Sequence, residues 1–116
     1  MADNERPKAI LAVRFFKTAL GKEPVREWLK ACPAETRRTI GEDIKTVQFG
    51  WPLGMPLVRK MNPGLWEMRS RLKDGIVRVF FTVYEDMMIL LHVFVKKGQK
   101  TPSKEIEITK RRLKEL

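Results

Sequence analysis

Apolar and polar positions alternate most regularly in the second half of the chain, where three segments carry the period of two that marks a β-strand. From Leu65 to Leu72, Glu67, Arg69 and Arg71 fall on one face and Trp66, Met68, Ser70 and Leu72 on the other. From Gly75 to Glu85, Val77, Val79, Phe81 and Val83 oppose Ile76, Arg78, Phe80, Thr82 and Tyr84. From Met87 to Lys97, Met88, Leu90, His92, Phe94 and Lys96 oppose Ile89, Leu91, Val93 and Val95. The short turns Lys73-Asp74-Gly75 and Glu85-Asp86 predict an antiparallel meander.

Upstream, Ala9 to Phe16 predicts a first strand, with Ile10, Ala12 and Arg14 alternating against Leu11, Val13 and Phe15. After Gly21 the period changes. Pro24 suits a first helical turn, and Val25, Trp28, Leu29 and Cys32 follow at the spacing of an amphipathic helix. Pro33 interrupts it, and a second helix is predicted from about Ala34 through Ile40, Ile44 and Val47 to Gly50-Trp51-Pro52, so that the two form a hairpin. Trp51 to Gly64 holds Pro52, Gly54, Pro56, Pro63 and Gly64 and reads as a loop, carrying Arg59 and Lys60. Thr101 is a candidate N-cap, with Pro102 opening a last helix that carries Ile106, Leu113 and Leu116. The expectation is one α+β domain over residues 1–116, an antiparallel sheet of about four strands packed on an N-terminal helix hairpin with a C-terminal helix. The helices are expected to cover the face of Trp66, Met68, Val77, Val79, Phe81, Leu91 and Val93, leaving the charged face open.

Charge sharpens this picture. With 24 Lys and Arg against 14 Asp and Glu, the formal net charge is +10, which points to nucleic acid, an anionic surface or an acidic protein as partner. The single cysteine, Cys32, excludes an intramolecular disulfide and a thiolate zinc cluster. The polar start Met1-Ala2-Asp3-Asn4-Glu5-Arg6 lacks the layout of a secretory signal, so a cytoplasmic location is expected. On the charged face, Glu67, Arg69, Arg71, Arg78, His92 and Lys96 compose a surface fitted for phosphate. Arg78, set between Ile76 and Phe80, requires either a part in chemistry or a buried partner such as Glu67. His92, between Leu90 and Phe94, is either packed and hydrogen-bonded or catalytic.

The stretches Pro56-Leu57-Val58-Arg59-Lys60-Met61, Gly64-Leu65-Trp66-Glu67-Met68-Arg69, Val77-Arg78-Val79-Phe80-Phe81, Leu90-Leu91-His92-Val93-Phe94-Val95-Lys96-Lys97 and Lys100-Thr101-Pro102 follow one another in an order and spacing that resemble the RelE/ParE superfamily of bacterial toxins, most of all its phage-derived HigB-like branch. The resemblance implies a RelE-like fold and the toxin of a type II toxin-antitoxin system, an mRNA endoribonuclease acting on the translating ribosome. It implies as partners mRNA, the ribosome and a cognate antitoxin, often of helix-turn-helix type, with no cofactor or metal, membrane or small-molecule substrate. Cleavage by the RNA's own 2′-hydroxyl needs a base, an acid and cations for the developing charge. The resemblance gives charge stabilisation to Arg78 and Arg69. It gives phosphate and RNA binding to Arg71, Lys60, Arg59, Lys97 and Lys100, and leaves proton transfer open among His92, Glu67 and Lys96. A ParE-like inhibitor of a topoisomerase and a non-catalytic, basic nucleic-acid-binding phage-derived protein are the alternatives. An enzyme of this kind is expected to lose activity, not its fold, on Arg78→Ala.

Overall fold

The computed structural model describes residues 8–73, 75–96 and 101–116. Among these residues there are five strands and three helices in the order β1 (Ala12–Phe15), α1 (Pro24–Ala31), α2 (Ala34–Gly50), β2 (Val58–Asn62), β3 (Leu65–Leu72), β4 (Gly75–Tyr84), β5 (Met87–Lys96) and α3 (Ser103–Lys114). The α+β class therefore holds, with a five-stranded mixed sheet in the order β1-β5-β4-β3-β2. Strands β2 to β5 form the antiparallel meander, and β1 runs parallel to β5 at the edge. No helix among the described residues is long and apolar enough to cross a membrane.

The fifth strand lies where a loop was expected. The breakers in Trp51 to Gly64 flank β2 and do not enter it: Pro52, Gly54 and Pro56 precede Val58, and Pro63-Gly64 make the turn into β3, Gly64 with a φ of 76°. A residue without Cβ is favoured at that left-handed turn position. The first strand is shorter than its alternation suggested. The Ile10 and Leu11 amides both donate to the Gln48 carbonyl at 2.7 and 3.1 Å, and Gln48 Nε2 donates to the Leu11 carbonyl at 3.0 Å, so this stretch is tied to the end of α2 and not to β5.

Helices α1 and α2 pack on one face. Val25, Ile40, Ile44 and Val47 meet Val58, Met68, Val77, Val79, Phe81, Met88, Leu90 and Val93, all buried, in the main core. Their junction is held by Arg37, whose Nη1 donates to the carbonyls of Leu29, Lys30 and Cys32 at 3.1–3.4 Å, satisfying acceptors that the end of α1 leaves over.

The opposite face is not left open. Ile106 and Leu113 of α3 pack on Phe16, Leu65, Phe80 and Leu91, a second apolar cluster that corrects the expectation of a bare charged face. A bulge explains part of the difference. Phe80 pairs with His92 and Phe81 with Leu90, leaving Leu91 as an extra residue in β5. Beyond the bulge the sides exchange, so Leu91 belongs to the second cluster with Phe94, while Val93 joins Met88 and Leu90 in the main core. Thr101 does not cap α3: Pro102 holds the N-cap position, and its carbonyl accepts the Glu105 and Ile106 amides.

Candidate nucleic-acid interface

Residues directly opposite in neighbouring antiparallel strands share a face, so the register assembles the site row by row. One row runs Arg59, Glu67, Phe80, His92 across β2 to β5. The next runs Arg69, Arg78, Phe94, and the third Arg71, Ile76, Lys96. Six of the residues singled out from the sequence are thus gathered, together with the main chain of Lys96. Lys60 is not among them: it pairs with Trp66 and lies on the other face. Lys97 and Lys100 lie outside the described residues.

Burial divides the gathered set. Arg59 and Arg71 are exposed and Arg69 is half-buried. Arg78 and Glu67 are enclosed, with side chains 5% and 0% exposed, and Arg78 Nη1 donates to Glu67 Oε1 at 2.8 Å. Of the two explanations the sequence allowed for Arg78, the buried partner is the one present. The pair also relieves the unfavourable juxtaposition of Arg69 directly opposite Arg78, because a carboxylate sits one row away on the same face. Pairing is incomplete: Glu67 Oε2, Arg78 Nε and Arg69 Nε are buried with no hydrogen-bond partner among the described residues. As placed here, Glu67 and Arg78 are shut off from solvent, whereas Arg59 and Arg71 reach it fully and Arg69 in part.

His92 is held by α3. Its Nε2 lies 2.5 Å from Glu105 Oε1, and Arg112 Nη1 lies 3.2 Å from its Nδ1 while donating to the Leu91 carbonyl at 2.8 Å. The ring stacks on Phe94, centroids 5.9 Å apart. This network fits the neutral Nε2–H tautomer, which donates to Glu105 and accepts from Arg112. Burial pushes the imidazole pKa below its usual value, and the Arg112 charge adds to this against the opposing pull of Glu105. Glu105 and Arg112 gave no sequence signal, since a polar helix with a basic end reads as a solvated face. Among the described residues no three His, Cys, Asp or Glu side chains converge as a metal cage.

The model of the family described as phage derived protein Gp49-like (DUF891) matches residues 27–114. The chain belongs to this Gp49-like family. No curated protein matches it. The stretch shared with the Gp49-like family takes in α2, β2 to β5 and α3, hence all three arginine-bearing rows and the helix that holds His92.

Proposed function

We propose that this Gp49-like protein is a toxin of the RelE/ParE superfamily, in its HigB-like branch, and that it cleaves mRNA on the translating ribosome without a metal, restrained by a cognate antitoxin. The observation that supports this most is the gathering of Arg59, Arg69 and Arg71 on one sheet face, around a fourth arginine, Arg78, held by its ion pair with Glu67 in the adjacent row. Exposed cations in neighbouring rows suit successive phosphates of a single strand, and they gain from counterion release. In this reading Arg59 and Arg71 bind the RNA backbone and Arg69 meets the scissile phosphate. Arg78 acts as a positioning residue that keeps the Arg69 guanidinium from folding inward. Proton transfer lies with His92, once freed from Glu105 or Arg112, or with Lys96.

The burial of Arg78 and Glu67 favours one competing reading, in which the same face binds without cutting, as in a ParE-like topoisomerase inhibitor or a nucleic-acid-binding module. Controlled expression in a bacterial host, following growth and mapping mRNA 5′ ends, separates the two. Growth arrest with in-frame cuts by the wild type, both lost in Arg69→Ala/Arg71→Ala, is the expected result. Arrest without cuts would move the protein to the binding class, and full cutting by the double variant would remove the arginine face from the mechanism.

A further inference from the structure

Strand β3 has neighbours on both sides only up to Met68. Strand β2 pairs with it from Leu65 to Met68, the Arg69 amide adds a bond to the Leu57 carbonyl at 2.8 Å, and no described strand follows the outer edge any further. Main-chain groups two residues apart point to the same side of a strand. The Arg71 N–H and C=O therefore face the same edge as the Arg69 amide and have no ladder partner there among the described residues. Beside this edge runs a groove in two stretches that share Thr39 and Arg71. One, of about 240 Å³, is lined by Thr39, Asp43, Pro56, Leu57, Arg69 and Arg71. The other, of about 340 Å³, continues past Thr36 of α2 to Leu72 and Lys73.

The groove thus offers an unpaired strand edge as floor, helix α2 as one wall, and the cations Arg69, Arg71 and Lys73. Of the two carboxylates among the described residues that line it, Asp43 already accepts from Ser70 Oγ at 2.7 Å, and Glu35 is exposed at the far end. Arg69 Nε, buried, lacks an acceptor among the described residues. We propose that this edge takes up an extended, acidic segment of a partner protein as a sixth strand, laid outside β3 in line with β2. Its main chain exchanges two hydrogen bonds with Arg71, and its carboxylates meet Arg69, Arg71 and Lys73. The free edge from Ser70 to Lys73 accommodates roughly four residues at about 3.3 Å each. A nucleic acid suits it less, because Arg71 presents a donor and an acceptor at peptide spacing and the α2 wall carries Asp43 and Glu35.

The proposal rests on the unpaired edge and stands whether or not the protein cuts RNA. Where it does cut, the segment would cover Arg69 and Arg71 and so compete with substrate. The test is amide hydrogen exchange in the full chain, read at Arg71 by NMR, with an end-blocked octapeptide of alternating Glu and Val. Exchange at the Arg71 amide is expected to slow about tenfold at saturation. An alternating Lys and Val octapeptide should leave it unchanged, and Arg71→Glu, at an exposed position that the fold does not use, should abolish peptide binding. Unchanged exchange at Arg71, equal protection by the lysine peptide, or protection by single-stranded RNA but not by the acidic peptide would each overturn the proposal.

Discussion

Arg78 and Arg69 stand opposite each other in the sheet, yet burial gives them different consequences. Removing Arg78 leaves Glu67 buried with an uncompensated charge, a change that costs about 3–5 kcal/mol. Arg78→Ala is therefore expected to fail first as a folded protein, contrary to the expectation from sequence that it would lose activity alone; urea unfolding measures the loss. Replacing both partners, as in Arg78→Met/Glu67→Leu, is expected to cost less than Arg78→Ala, since no lone charge remains. His92 supplies a pH dependence that can be assigned without ambiguity, because it is the only histidine in the chain. Its folded pKa lies below the ordinary value near 6.5, so the unfolded chain takes up the proton first as pH falls. The stability it contributes is full above about pH 6.5 and is lost as pH drops toward the folded pKa. Urea midpoints between neutral and mildly acid pH should fall for the wild type and stay flatter for His92→Phe. Sequence alone exposed the problem of Arg78, a charge between two apolar neighbours, and named Glu67 as its possible partner. It could not expose the His92 network, because Glu105 and Arg112 come from a helix whose docking face is marked only by Ile106 and Leu113.

At the level of elements, the two periods of hydrophobicity were enough to find α1, α2, β3, β4 and β5 within a residue or two. The features that escaped are ones that leave no mark in alternation. β2 is short and enclosed by prolines, so its five residues are outweighed by what surrounds them. The bulge at Leu91 inserts a residue into a run that is apolar on both sides, and such a run looks the same with or without the insertion. Missing it hid the second apolar cluster, and with it the seat of α3. That helix is rich in charge and rests on the sheet through few apolar contacts. Leu113→Ala should therefore release it while the rest of the sheet persists. The expected cost is about 1–2 kcal/mol, less than for a fully buried leucine, and faster amide exchange confined to α3 is the signature to measure.

For the whole molecule, an excess of ten positive charges sets a general attraction for polyanions, and the rows of β2, β3 and β4 decide where it is concentrated. One face joins Arg59, Arg69 and Arg71, while Lys60, adjacent in sequence to Arg59, is turned to the other by strand alternation. Composition could give the sign of the partner's charge, and periodicity most of the residues on the face. Only the register and the burial separated the arginines that reach solvent from the one that supports them. The measurement that tests this division most directly is the affinity of the purified protein for a short single-stranded RNA across a series of salt concentrations. If Arg59, Arg69 and Arg71 each neutralise a phosphate, log K should fall against log salt with a slope of about −2, from about −0.7 per contact on a single strand. Arg69→Ala/Arg71→Ala should bind at least about tenfold more weakly at low salt, with a slope reduced to about −0.7. A double variant that keeps both the affinity and the slope of the wild type would contradict the account, and would place the nucleic-acid interface elsewhere on the molecule.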